Sequence, residues 1–513
     1  MPYPYRLNQL TPARLDRHPI GCWFALIALM LVGCSAPSPA ESTLGLKEVA
    51  CWFDDTSYLP THRCLEMTVT ETDDPTARRL VTFPVLVFDS PNPSGDSPVL
   101  HLGGGGPGGA MALQEEYTVL WLHKLFKQVS LELGRDLYVI DPRGTGLAKP
   151  LLMCQTYIEN ELRRWKKNLS LEASYASGDA DYRQCIAQFT QHGTDFERYS
   201  SPSVVADIDA LRRAAQIERW VLYGGSYGTV YAQLYARQFP QHVESMILDS
   251  ATFLDIPYHE IFVRDMTRPY EQLFGYCSQH ECDEAMSPPD IERTFWSLVA
   301  QLDETPLEMV VHHPFTGSQE RVVLTGWRFL DSVVWATYGE DIFPTFPSLL
   351  QDMQRGDTTR LTPHVEELLY FLLDHSYGDI SASAHFCVDK KPYIDQPALE
   401  RAISTIPYSY VRNIAAMSMR FSDYCDDMNI PVLATDLADP ILTDVPTLFI
   451  HGELDSVTLL EHVEERVVHF SNHHLAVSAQ SHIVLDDPCV QQVARQFVVN
   501  ALNQPLDANC RRQ

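Results

Sequence analysis

The chain is 513 residues long, more than one hydrophobic core usually organises, so a core domain with a large second unit is expected. Hydrophobic residues at 45% and aromatics at 10% supply ample core material and exclude a disordered chain. A formal charge of −29, with Arg163-Arg164-Trp165-Lys166-Lys167 as the densest basic run, excludes nucleic acid as a partner; the acidity reads as solubility, with attraction of cationic groups such as free amino termini as the sharper alternative.

At the amino terminus Arg6, Arg14 and Arg17 precede an apolar run from Ile20 to Gly33. That run is shorter than the roughly 20 residues a bilayer span needs, so residues 1–33 are expected to be a signal peptide. It ends in Leu31-Val32-Gly33-Cys34, which resembles a bacterial lipobox. Cys34 is then expected to carry lipid and to attach the mature chain to a membrane, with residues 34–45 as a small, polar tether. Ser35 in the next position resembles the sorting pattern of outer-membrane lipoproteins, so a periplasm-facing or cell-surface location is expected. Apart from Cys22 in the signal and Cys34, the remaining cysteines form an even set, which in an exported protein predicts disulfides. Sequence neighbours suggest Cys51–Cys64, Cys154–Cys185, Cys277–Cys282, Cys387–Cys425 and Cys489–Cys510, one of many connectivities the set allows. No CxxC pair occurs, so no metal site is expected.

Beyond the tether, short apolar runs bounded by Gly, Pro and Asp predict strands over 79–88, 99–102, 137–140, 220–223, 245–248, 447–451 and 475–477. Helical patterns fall between several of them, at 203–215 and 229–239, and a last helix is predicted from Pro488. Strands alternating with helices predict a mostly parallel sheet covered on both faces. Between Asp249 and Asp444 the pattern turns aromatic and helical, as over 291–302, 326–338 and 361–373. Core-like strands resume afterwards. The division expected is therefore 46–253 as the first part of the core, 254–443 as an inserted cap, and 444–513 as the second part of the core.

The most specific feature is Trp220-Val-Leu-Tyr-Gly224-Gly225-Ser226-Tyr227-Gly228-Thr229, a strand entering a Gly-flanked turn and then a helix. A nucleophilic serine must project from such a strained turn, and bulk beside it would strike the strand or the helix. His101-Leu-Gly103-Gly104-Gly105-Gly106-Pro107-Gly108-Gly109 follows the strand 99–102 and lets backbone N–H groups approach a substrate. Tyr227 and either Gly105 or Gly106 are the expected oxyanion donors. No Lys-Ser/Thr follows these glycines, which argues against a phosphate loop. Serine needs a base, and the base an orienting carboxylate. His482, in the loop after the strand 475–477, is the expected base, while His473 and His474 fall at that strand's other end. Asp455, after the strand 447–451, is the expected acid, with Glu453 and Asp249 as rivals.

Gly105-Gly106-Pro107-Gly108, Asp141-Pro142-Arg143-Gly144-Thr145-Gly146, Gly224-Gly225-Ser226-Tyr227-Gly228-Thr229, Tyr235-Ala236, Phe239-Pro240, Gly452-Glu453-Leu454-Asp455 and Ser481-His482 together resemble the tripeptidyl and prolyl aminopeptidase branch of the α/β-hydrolases. The early Cys51 and Cys64, and the late Cys489 and Cys510, look like the tripeptidyl type with its carboxyl-terminal segment. The resemblance implies an α/β-hydrolase fold with a mainly helical cap, a cofactor-free acyl-enzyme mechanism on Ser226, and release of residues from the free amino terminus of a peptide. It also implies acidic cap residues that hold the substrate ammonium group, for which Asp389 is the candidate. The Gly run before Pro107 is longer than the family's His-Gly-Gly-Pro-Gly, leaving His101 out of step, and Tyr227 stands where prolyl aminopeptidases have Trp. Asp141 and Arg143 are expected to brace their loop. An esterase with the same triad, and a binding lipoprotein on the same fold, are the alternative readings.

Overall fold

The computed structural model describes residues 44–54, 59–72, 79–284, 286–501, 506 and 509–511. The expected signal peptide and Cys34 lie outside the described residues. Twelve strands form among the described residues: β1 Gly45–Val49, β2 His62–Thr70, β3 Leu80–Phe88, β4 Val99–Leu102, β5 Leu137–Ile140, β6 Trp220–Gly225, β7 Val243–Asp249, β8 Leu307–His312, β9 Gln319–Leu324, β10 Thr447–Gly452, β11 His473–Ser478 and β12 Asn509–Cys510. Ten of them make one sheet in the order β1-β2-β3-β5-β4-β6-β7-β10-β11-β12. Pairing is antiparallel from β1 to β5 and parallel from β5 through β4, β6, β7, β10 and β11 to β12.

In the parallel half, β4, β5, β6 and β10 are buried along their whole length, because helices cover both faces and near-continuous apolar sequence is what such strands require. Successive residues serve opposite faces. Leu100, Leu222 and Phe449 pack with Val204, Ile208, Val230 and Leu234 of the helices Ser201–Ala214 and Gly228–Gln238. Val99, Val221 and Ile450 turn the other way, onto Val119, Leu122 and Phe126 of helix Glu116–Phe126 and Val490, Val493 and Phe497 of helix Pro488–Asn500.

The segment between β7 and β10 builds a third core around Phe295, Phe329, Phe346 and Leu369 and adds only the β8–β9 hairpin as strand. This layer draws on more than the expected 254–443. Trp165 is part of the same core, and buried Arg328 donates to the carbonyls of Arg164, Trp165 and Lys167. The helices Gln155–Trp165 and Leu171–Gln191 therefore cross from the first core segment into the helical layer, since an apolar face there finds its partners in the insertion.

The disulfides formed are Cys51–Cys64, Cys154–Cys185, Cys277–Cys282, Cys387–Cys425 and Cys489–Cys510, the five expected pairs. Such a set belongs to an oxidising, extracytoplasmic compartment. Among the described residues no helix is long and apolar enough to cross a membrane. Behind the Gly-rich loop, buried Asp141 accepts from the N–H groups of Met111 and Leu147. Arg143 forms a two-pronged pair with Asp207 at 2.6–2.7 Å and donates to the carbonyls of Glu71 and Arg198. Both residues fasten the loop after β5 to its neighbours.

Candidate active site

Ser226 follows β6 directly, with φ at +51°, a conformation disfavoured for a residue with a side chain. It is held there by its N–H to the Asp249 carbonyl at 2.9 Å and by the Thr229 N–H and hydroxyl on its own carbonyl. Two glycines make the turn possible. A Cβ on Gly228 would lie 2.1 Å from the Leu102 carbonyl oxygen, and one on Gly104 would lie 2.8 Å from the Ser226 Cβ. Strand, nucleophile turn and Gly-rich loop therefore touch backbone to backbone.

Asp455 is buried just past the end of β10. Its Oδ1 accepts from the N–H groups of Val457 and Thr458, and its Oδ2 from the Thr458 hydroxyl at 2.8 Å and from His482 Nδ1 at 2.9 Å. Burial alone would raise this carboxyl, but the charge and hydrogen bond of His482, with His451 and the Thr458 N–H, hold it below the usual carboxylate range. The rivals face elsewhere. Glu453 is half-exposed and pairs with Arg511 at 3.8 Å. Asp249 accepts from the Tyr223 hydroxyl and from the N–H groups of Val484 and Leu485, so it anchors the loop that carries His482 rather than the imidazole. Ser250 adds to that anchor by accepting the Ile483 N–H at 2.8 Å. Ser226, Ser250 and Ile483 all have positive φ, so three strained residues gather in the backbone around the site.

His482 is buried, donates its backbone N–H to the Tyr338 carbonyl, and meets the Tyr338 ring edge to face at 5.4 Å. His473 and His474 open β11 at its far end. Among the described residues His482 and Ser226 are not hydrogen-bonded to each other; in hydrolases without substrate that contact is often long and tightens on binding. Ile483, the residue after His482, lies with its side chain 3.3 Å from where a Gly225 Cβ would be and lines one cavity with Ser226. Burial lowers the His482 pKa against the opposing pull of Asp455. Since a histidine base works only when neutral, kcat/KM is expected to hold into acid past the ordinary imidazole value of about 6.5. A pH profile whose acid limb lies above 7 would contradict this.

Gly104 and Gly105 line the same cavity as Ser226, whereas a Cβ on Gly106 would face the Tyr377 hydroxyl at 3.6 Å in the helical layer. Of the two candidate glycines, Gly105 borders the serine. Tyr227 starts the helix Gly228–Gln238, so its N–H lies at the positive end of that helix.

Asp389 does not meet the expectation of a free ammonium ligand. It is buried, and its oxygens accept from the Ser201 hydroxyl at 2.6 Å, the Ser201 N–H and the Tyr227 hydroxyl at 3.0 Å. Its carboxyl is spent on bracing the residue after the nucleophile, because its helix Asp379–Asp389 ends against that turn. Sequence reasoning missed Asp265, on helix Tyr258–Gly275. Its Oδ1 is buried and has no hydrogen-bond partner among the described residues. Burial raises its pKa to about 8, with Lys390 pulling it down and the charge of Asp455 pushing it up. Tyr338 is raised by burial and then by both Asp455 and Asp265, so the charges of these two carboxylates both reach its ring. The signal was present in the sequence: Asp265 falls seven residues after Tyr258 in the apolar stripe Tyr258, Ile261, Phe262, where a carboxylate has no packing role.

The sheet order, the strained serine after β6 and the Asp455–His482 pair after β10 and β11 define a serine hydrolase of the α/β-hydrolase fold. Residues 98–274 match the family described as alpha/beta hydrolase fold. Over 527 aligned positions the chain is 23% identical to the serine protease Hip1 of Mycobacterium tuberculosis, covering 95% of this chain and 97% of that protein. A 49-residue stretch is 43% identical to a Mycoplasma pneumoniae protein assigned as a proline iminopeptidase, covering 10% of this chain and 16% of that one. A solved meta-cleavage product hydrolase, CumD, is 13% identical with a TM-score of 0.36, covering 82% of this chain and 94% of that one, a likeness on which nothing further rests.

Proposed function

We propose that the protein is an exported serine exopeptidase that releases residues from the free amino terminus of peptides. In this reading Ser226 Oγ attacks the carbonyl of the scissile bond while His482 takes its proton, and Asp455 keeps the imidazole in the tautomer with Nδ1 protonated. The N–H groups of Tyr227 and Gly105 receive the oxyanion. His482 then gives its proton to the leaving amine, and water releases the acyl group by the same steps in reverse.

The observation that carries the reading is Asp265, a buried carboxylate with one oxygen that has no hydrogen-bond partner among the described residues, within electrostatic reach of Asp455 and Tyr338. Lys390 is a cation whose charge already reaches this carboxylate, but a buried oxygen without a hydrogen-bond donor is costly, and the α-ammonium group of a peptide would supply that donor. The full-length likeness to a serine protease supports a peptide substrate. Attachment through lipid on Cys34 belongs to the same proposal, and loss of fatty-acid labelling in Cys34→Ser tests it.

The deciding experiment compares a peptide amide with a free amino terminus, its N-acetylated form and a short-chain ester. The free peptide is expected to be the best substrate. Asp265→Asn is expected to raise KM for it by about 10-fold or more, the worth of a charge-assisted hydrogen bond, and to leave ester turnover near wild type. Equal turnover of free and blocked peptides by the wild-type protein removes the aminopeptidase reading.

A further inference from the structure

The cavity that reaches Ser226 and Gly105 runs on between the Gly-rich loop and helix Glu116–Phe126, with an extent of about 360 Å³ counting the part open to solvent. Its walls are Met111, Trp121, Leu125, Tyr223 and Ile483, with His101 among them. Its enclosed part is much smaller than that extent, so it suits one compact group rather than several.

His101 is the unusual wall residue. It sits on β4, is 4% exposed, stacks on Tyr223 at 5.2 Å and meets Phe126 edge to face at 5.1 Å. Its Nδ1 has no hydrogen-bond partner among the described residues, although buried polar atoms in folded proteins are nearly always satisfied. Neighbouring Tyr223 has its hydroxyl committed to Asp249. Burial lowers the His101 pKa to about 3, so the ring is a neutral polar group at any pH at which the protein works.

We propose that this cavity receives the side chain of the residue whose carbonyl Ser226 attacks, and that it selects a compact, uncharged side chain with an apolar body and one hydrogen-bonding group within reach of His101. The carbon next to the attacked carbonyl must lie beside both Ser226 and the oxyanion donor, and the cavity opens at that place. Aliphatic and aromatic walls favour apolar bulk, while an ionised side chain would enter without a counter-charge. The proposal rests on acylation of Ser226 as described above, but not on where the substrate ammonium group binds.

The test uses N-blocked amino-acid p-nitrophenyl esters, which share one leaving group and acylate a competent serine whether or not the protein is an aminopeptidase. The acyl residue is varied through Ala, Val, Leu, Phe, Tyr, Asp and Lys, and active sites are counted with a fluorophosphonate. Leu, Phe and Tyr are expected to exceed Asp and Lys by about 100-fold in kcat/KM, the discrimination an uncompensated charge produces. Trp121→Ala is expected to move the Phe-to-Ala preference by about 10-fold, as removal of pocket wall does, and Trp121→Phe to restore most of it. His101→Phe is expected to reduce Tyr relative to Phe. Should Trp121→Ala lose fluorophosphonate labelling, Leu125→Ala gives the same reading from the same wall. Wild-type protein that accepts Asp or Lys as well as Leu, or wall variants that label fully with an unchanged acyl preference, would overturn the proposal. A peptide series in which these variants alter only the residue after the scissile bond would do so as well. Failure of the aminopeptidase reading, seen as indifference to N-acetylation, would leave the ester preferences intact and is thereby distinguished.

Discussion

Ser226→Ala and Asp455→Asn are each expected to lower kcat by about 10⁴-fold or more while the fold persists. The two losses have different causes. Alanine removes the attacking oxygen. Asparagine keeps the shape of the aspartate but offers an N–H where His482 Nδ1 now donates to Oδ2 at 2.9 Å, which favours the imidazole tautomer that cannot accept the serine proton. The other acceptor positions of Asp455 are already filled by Val457, Thr458 N–H and the Thr458 hydroxyl, so the amide has little freedom to turn. Fluorophosphonate labelling should vanish in Ser226→Ala and slow sharply in Asp455→Asn, with thermal midpoints close to wild type in both. A kcat within tenfold of wild type for either variant would refute the assignment of these residues.

Arg143→Ala is expected to cost about 3–5 kcal/mol of folding stability, the range for breaking one side of a buried ion pair. Arg143 and Asp207 are each only 4% exposed in their side chains. Removing the guanidinium takes two charge-assisted hydrogen bonds from the buried Asp207 carboxylate and removes a donor from the carbonyls of Glu71 and Arg198. Urea denaturation, followed by a midpoint shift at unchanged slope, measures the loss. A loss below about 1 kcal/mol would place the pair with ordinary surface bridges.

The parallel half of the sheet was legible because helices cover both its faces, so its strands are short apolar runs with sharp ends. The runs 99–102 and 137–140 coincide with β4 and β5, and the others differ by a residue or two at their ends. The two margins of the sheet were less so. β1, β2 and β12 are absent from the expected strands: β1 mixes exposed and half-buried residues, β2 alternates irregularly, and β12 is two residues long. The β8–β9 hairpin was hidden for the same reason, with Glu308, Val310 and His312 exposed between buried neighbours inside a helical segment.

By itself the sequence determined the fold class and the order of the candidate serine, acid and histidine along the chain, because these are written in local pattern: strand, glycine and turn; short-range spacing suggested the five cysteine pairs, and the structure selected them. Only the tertiary structure decided which carboxylate does what. Asp249, Asp389, Asp455 and Asp265 look alike as letters, and their roles come from what surrounds each one. Backbone N–H groups of the histidine loop claim Asp249, the hydroxyls of Ser201 and Tyr227 claim Asp389, and the imidazole of His482 claims Asp455. An oxygen of Asp265 is left without a hydrogen-bond partner among the described residues. Hydrogen-bond partners arrive from positions distant in the chain, so local pattern carries no record of them.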